Sequence, residues 1–207
     1  MKLIYKGILN RNEPLPSWPL PENAVRVKEP ENFQMITLVS LLFVLPALLL
    51  IALITFISYM LHGDHASIGF SWVGLALSFA VMIPHEFLHA IGFGKDAEVE
   101  MYFLPQSGNV AVTSSKAISK RRFIFLSLFP GLVLGWTPLI IWAILPYTSF
   151  STALYTFSII SGAIHGAGDN FGVYNIIRQV PRGSMLQMSG NNPHWFKSLN
   201  RSTHEIP

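Results

Sequence analysis

Pro84-His85-Glu86-Phe87-Leu88-His89-Ala90 decides how the rest of the chain is read. It is an HExxH sequence inside an apolar stretch, residues 70–94, long enough to cross a bilayer as a helix. On a helix the two histidines fall at i and i+4, one turn apart on one face, so their imidazoles can converge on one ion. Glu86, beside the first histidine, can reach a metal-bound water as general base. HExxH fixes only three positions and is a weak signal by itself. Its setting strengthens it, because histidine and glutamate are costly in hydrocarbon and mark function where they occur there. Pro84 removes a backbone donor and predicts a kink just before the histidines, opening room for water.

The composition agrees with a membrane setting. Of 207 residues, 51% are hydrophobic and 12% are charged, against about 25% charged in soluble domains. The net charge is +3 with histidine neutral. The basic residues lie in the polar segments, so they report orientation in a membrane. No basic patch interleaved with aromatics is present, which argues against a nucleic-acid partner. Cysteine is absent. A zinc ion here must be held by His, Asp, Glu or water, the ligand set of a catalytic site.

These features predict an all-α integral membrane protein with about four transmembrane helices and a short cytoplasmic β-hairpin between the second and third. Residues 1–34, punctuated by Pro14, Pro16, Pro19, Pro21 and Pro30, read as a polar cytoplasmic arm and not as a secretory signal. Spans at about 35–61, 70–94, 123–145 and 148–168 make a membrane domain over 35–170, and residues 171–207 a cytoplasmic tail. The first span contains Pro46, which can kink it. Val99, Met101 and Phe103 alternate with polar neighbours, and Val110-Ala111-Val112-Thr113 follows a Gly/Asn turn, which is a hairpin pattern. Its edge could take an extended peptide by strand addition. The loop His62-Gly63-Asp64-His65 reads as solvated in preference to a second metal site.

Lys and Arg number five in the arm, none in 62–69, five in 95–122, none in the next loop and four in the tail. The positive-inside rule then puts both termini in the cytoplasm. The HExxH and Asp169 end even-numbered spans, so they fall at similar depth. A catalytic zinc takes three protein ligands and a water. Asp169 is the preferred third ligand beside His85 and His89, with Gly166 and Gly168 allowing close approach. His165, one turn earlier, is the competitor or an outer-shell partner. Glu98 and Glu100 are weaker candidates. Asn170 could bind substrate or orient a ligand.

An HExxH in one span with an aspartate at the end of a later one resembles the site-2 protease class of intramembrane metalloproteases. More closely, the chain is similar to a small bacterial membrane family of zincin-like peptidases, a domain-of-unknown-function group. The resemblance covers roughly 70–190 and rests on His85 to Ala90, the hairpin and basic run, Leu128-Phe129-Pro130-Gly131, and Ser161-Gly162-Ala163 through Gly168-Asp169. It implies His85, His89 and Asp169 as zinc ligands, Glu86 as catalytic base and a bacterial plasma membrane location. The chain departs from site-2 proteases at Asp169-Asn170-Phe171, where they carry Leu-Asp-Gly, and it has no room for an inserted PDZ domain.

The expected activity is zinc-dependent hydrolysis of peptide bonds in a membrane-embedded or juxtamembrane protein or peptide. Other readings are a non-catalytic zinc-containing membrane scaffold, a metal transporter, or a zinc hydrolase acting on lipid. Oligomeric state is not legible in the chain.

Overall fold

The computed structural model describes residues 1–10, 13–30, 33–63, 68–105 and 109–197. α1 (Phe33–Leu41) and α2 (Val44–His62) follow one another, and Gln34–His62 is long and apolar enough to cross a membrane. α2 leaves Leu45, Leu49, Leu53, Phe56 and Met60 exposed at helical spacing. Such a stripe fits a lipid surface, since soluble proteins rarely expose contiguous apolar faces. α3 (Trp72–Ala80) begins on Ser71, whose side chain accepts from Gly74 N–H. α4 (Met82–Gly92) carries the HExxH. Together α3 and α4 are apolar enough to span, but they are bent by 42° at their junction. Pro84 lies in the first turn of α4, as the kink expectation requires.

α5 (Lys120–Gly131), a π-helical turn at Leu132–Trp136 and α6 (Thr137–Ala143) make the second uninterrupted helix of spanning length, Lys120–Ala143. α7 (Ser149–Ile159) is opened by a Thr148/Ser151 capping box. It runs through a second π-helical turn, Ile160–His165, into α8 (Ala167–Gln179). The two π turns touch at Gly135 and Gly162, where backbone meets backbone.

The polar segments fold into sheet. β1 (Lys2–Ile8) and β2 (Val25–Arg26) come from the N-terminal arm. β3 (Glu98–Leu104), β4 (Asn109–Thr113) and β5 (Ile118–Ser119) lie between α4 and α5. β6 (Ser184–Ser189) and β7 (Asn192–Lys197) follow α8. One sheet has the order β1-β3-β4, with β1 parallel to β3 and β3–β4 antiparallel. The β3–β4 hairpin is the one read from the alternation, and its turn at 106–108 lies outside the described residues. The other sheet has the order β2-β7-β6-β5, antiparallel throughout.

The all-α, four-span expectation is therefore overturned. Among the described residues two helices, or three if the bent pair is one span, are long and apolar enough to cross a membrane. The stretch expected as the fourth span is helical, but it turns π-helical at Ile160 and continues past 168 to Gln179. Its Ser151, Thr156, Ser158 and Ser161 are buried against the protein. The arm, expected as a polar cytoplasmic segment, is tied to the hairpin by Lys2–Glu98 and Lys6–Glu100 ion pairs at 2.8 and 3.1 Å. Residues 171–207, expected as a tail, supply most of α8 and a hairpin; 198–207 lie outside the described residues.

Candidate metal centre

α4 holds the site because one face of it is packed and the adjoining face is chemical. Ala90 and Phe93 join Val99, Ile118 and Leu126 in a buried apolar cluster shared by α4, β3, β5 and α5. Gly92 lets α5 come close, since a methyl group there would stand 2.3 Å from the Leu126 Cβ. His85 and His89, one turn apart, are both buried, with ring centroids 5.0 Å apart.

Asp169 enters from the first turn of α8. Its Oδ2 is 3.2 Å from His85 Nε2 and its Oδ1 is 3.3 Å from His89 Nε2. One ligand atom from each of the three residues lies within 4.8 Å of the others. Each carboxylate oxygen thus faces one histidine, and the three side chains lie close enough to direct donor atoms at one ion. Two imidazoles and a carboxylate, with no thiolate, leave one of four positions for water. This donor set fits zinc.

The outer shell favours the same reading. His89 Nδ1 lies 2.8 Å from the Leu126 carbonyl oxygen. A proton donated there leaves the Nε2 lone pair directed at the centre. α5 also grips the ends of both helices that bring the ligands. Arg122 Nε donates to Gly92 O at 2.8 Å at the C-terminus of α4. Lys120 Nζ donates to Ile177 O and Val180 O at the C-terminus of α8. Cations suit helix C-termini, where carbonyls lack partners. In the sequence these residues read as reporters of membrane orientation, and nothing local shows that they cap the helices of the site.

Glu86 stands between two cavities. One, of about 90 Å³, is lined by Met82, His85, Glu86 and His165. The other, of about 350 Å³, has Glu86, His89 and Asp169 at one side and apolar walls that include Val112 of β4, Phe123 of α5 and Met188 of β6. His165 thus faces the site from the small cavity and lies outside the ligand cluster, its ring beside Phe79. Asn170 shares a further cavity with Asp169 and Trp136. Glu98 and Glu100 are engaged with Lys2 and Lys6 on the sheet. His62 Nδ1 meets Ser58 O within α2, while Asp64 and His65 lie outside the described residues.

A helix bearing HExxH, with a carboxylate from a second helix closing on both histidines, is the arrangement of a zincin-type metal centre. The chain belongs to the family described as "Putative zincin peptidase", whose model matches residues 78–185. That segment holds His85, Glu86, His89 and Asp169, and it excludes β1, β2, α1, α2 and β7. No curated protein and no solved structure matches the chain.

Proposed function

We propose that this protein is a zinc-dependent peptidase of the membrane, related in its site to the site-2 proteases, with His85, His89 and Asp169 as ligands and Glu86 as general base. The observation that carries this is the convergence of the three ligand atoms within 4.8 Å, beside the glutamate of the same HExxH helix. Zinc held there would lower the pKa of a bound water and polarise a carbonyl. Glu86 takes a proton from the attacking water and delivers it to the amine nitrogen as the C–O bond forms and the C–N bond breaks. His89, fixed through Leu126, and Asp169, fixed in the first turn of α8, keep the centre oriented.

The substrate is an extended peptide segment from a membrane-embedded or juxtamembrane protein. β4 is an edge strand of its sheet and borders the larger cavity, so a peptide can add to it as a further strand. The cavity's apolar walls suit large apolar side chains next to the scissile bond. Lys2 and Lys6 of β1, Arg26 of β2, Lys197 of β7 and Lys120, Arg121 and Arg122 at the start of α5 support, by the positive-inside rule, a cytoplasmic position for these segments.

The test is metal content by mass spectrometry on wild type, Glu86→Gln, His85→Ala and Asp169→Ala, followed by cleavage of a peptide library. The reading requires about one zinc per chain in wild type and Glu86→Gln, loss of zinc in the other two, and cleavage in wild type alone. Zinc without cleavage, with unchanged cellular function in Glu86→Gln, would make the centre structural. No zinc in wild type after metal addition would end the peptidase reading.

A further inference from the structure

Pro130 lies inside α5 and is fully buried. In an α-helix the N–H of residue 130 would bond the carbonyl of residue 126. Proline has no N–H, and its ring crowds the carbonyl four residues back. Within α5, Leu126 is the one residue with a proline four positions later. Its carbonyl oxygen is the atom that lies 2.8 Å from His89 Nδ1. The vacancy in the helix ladder and the partner of the histidine are the same oxygen.

We infer that Pro130 is a positioning residue for the metal centre: by withholding a helical donor from Leu126, it gives that carbonyl to the Nδ1–H of His89 and so fixes which imidazole nitrogen faces Asp169. The inference rests on the reading of His85, His89 and Asp169 as metal ligands. Its physical content is separate from the kink a proline makes. A carbonyl that already accepts from its own helix is a weaker and differently aimed acceptor for a side chain on a neighbour. An unrestrained imidazole can flip or change tautomer, and an outer-shell partner of this kind is typically worth about 10–100-fold in metal affinity. The close approach of Gly92 to Leu126 brings α4 near enough for the bond to form.

The experiment compares the full-length protein in detergent with two variants at one position. Pro130→Ala supplies an N–H. Pro130→lactic acid, introduced by nonsense suppression, puts an ester oxygen there and supplies none. Zinc affinity is read by chelator competition, and ligand geometry by the visible spectrum of the Co²⁺-loaded protein. The expected result is about a tenfold or greater loss of affinity and a changed cobalt spectrum for Pro130→Ala, with lactic acid restoring both. Equal behaviour of the two variants, whether both intact or both impaired, overturns the inference and assigns Pro130 to packing. Should Pro130→Ala not fold, ¹⁵N shifts of histidine-labelled, zinc-loaded wild type decide: a protonated Nδ1 on His89 supports the inference, and a metal-bound Nδ1 overturns it. Wild type that binds neither zinc nor cobalt overturns the metal-centre reading and this inference with it, and that result is visible before any variant is made.

Discussion

Gly135 and Gly162 meet backbone to backbone where the two π-helical turns cross. A methyl group on Gly135 would stand 2.3 Å from the Gly162 Cα, whereas one on Gly162 would stand 3.3 Å from the Gly135 Cα. π turns widen a helix locally and are frequent at functional sites. Here the second one delivers the chain, four residues later, to Asp169. The contact predicts unequal mutants. Gly135→Ala forces the helices apart and costs roughly 1–3 kcal/mol or more by overpacking. Gly162→Ala needs a shift of only a few tenths of an ångström and costs less. Thermal unfolding in detergent gives the order, and the prediction fails if Gly162→Ala is the more damaging.

Arg122 and Gly92 form the grip of α5 on the HExxH helix. The guanidinium covers Gly94, where an added methyl would lie 2.4 Å from Nη2, and Nε caps Gly92 O. Arg122→Met removes a charge-assisted hydrogen bond of the kind worth roughly 1.5–3 kcal/mol, less where solvent reaches it. The expected effect is faster amide exchange at residues 89–94 with the rest of the fold retained. Unchanged exchange there would show that the apolar cluster alone holds the helix end.

The separation of the alternative ligands is testable on metal content alone. His165→Ala, Glu98→Gln and Glu100→Gln should each keep about one zinc, because none belongs to the cluster of His85, His89 and Asp169. Loss of metal in His165→Ala, with the fold intact by circular dichroism, would move the third ligand from α8 to the preceding π turn.

Acid should loosen the N-terminal strand. Lys2 donates to Glu98 and attracts it, holding its carboxyl below the usual carboxylate range. A depressed carboxyl contributes stability that is present above its unfolded pKa, about 4.3, and is lost as pH falls through the lower folded value. The pair is exposed, so the effect is small and weakened by salt. Protection factors of β1 amides should fall between about pH 6 and about pH 3. Glu98→Gln should show a flatter dependence, and an equal fall in both would place the acid response elsewhere.

The sequence by itself determined what rests on short-range period. Helical spacing put His85 and His89 on one face, apolar length marked the two uninterrupted membrane-length helices and the bent α3–α4 pair, and period-two alternation gave the β3–β4 pair. Counting spans also put Asp169 at the depth of the histidines, and the structure brings it to them even though the four-span architecture does not hold. Only the tertiary structure decided the rest, because each remaining feature depends on a partner far away in the chain. β1 has no local turn to announce a parallel pairing with residues about ninety-five positions on. The fourth apolar stretch read as lipid-facing because composition does not reveal that its hydroxyls are buried against neighbouring helices. Pro130 could be recognised as a helix breaker, but nothing local shows that the carbonyl it leaves free is the one His89 reaches. Local periodicity sets which way side chains point, and only packing between elements sets what they meet.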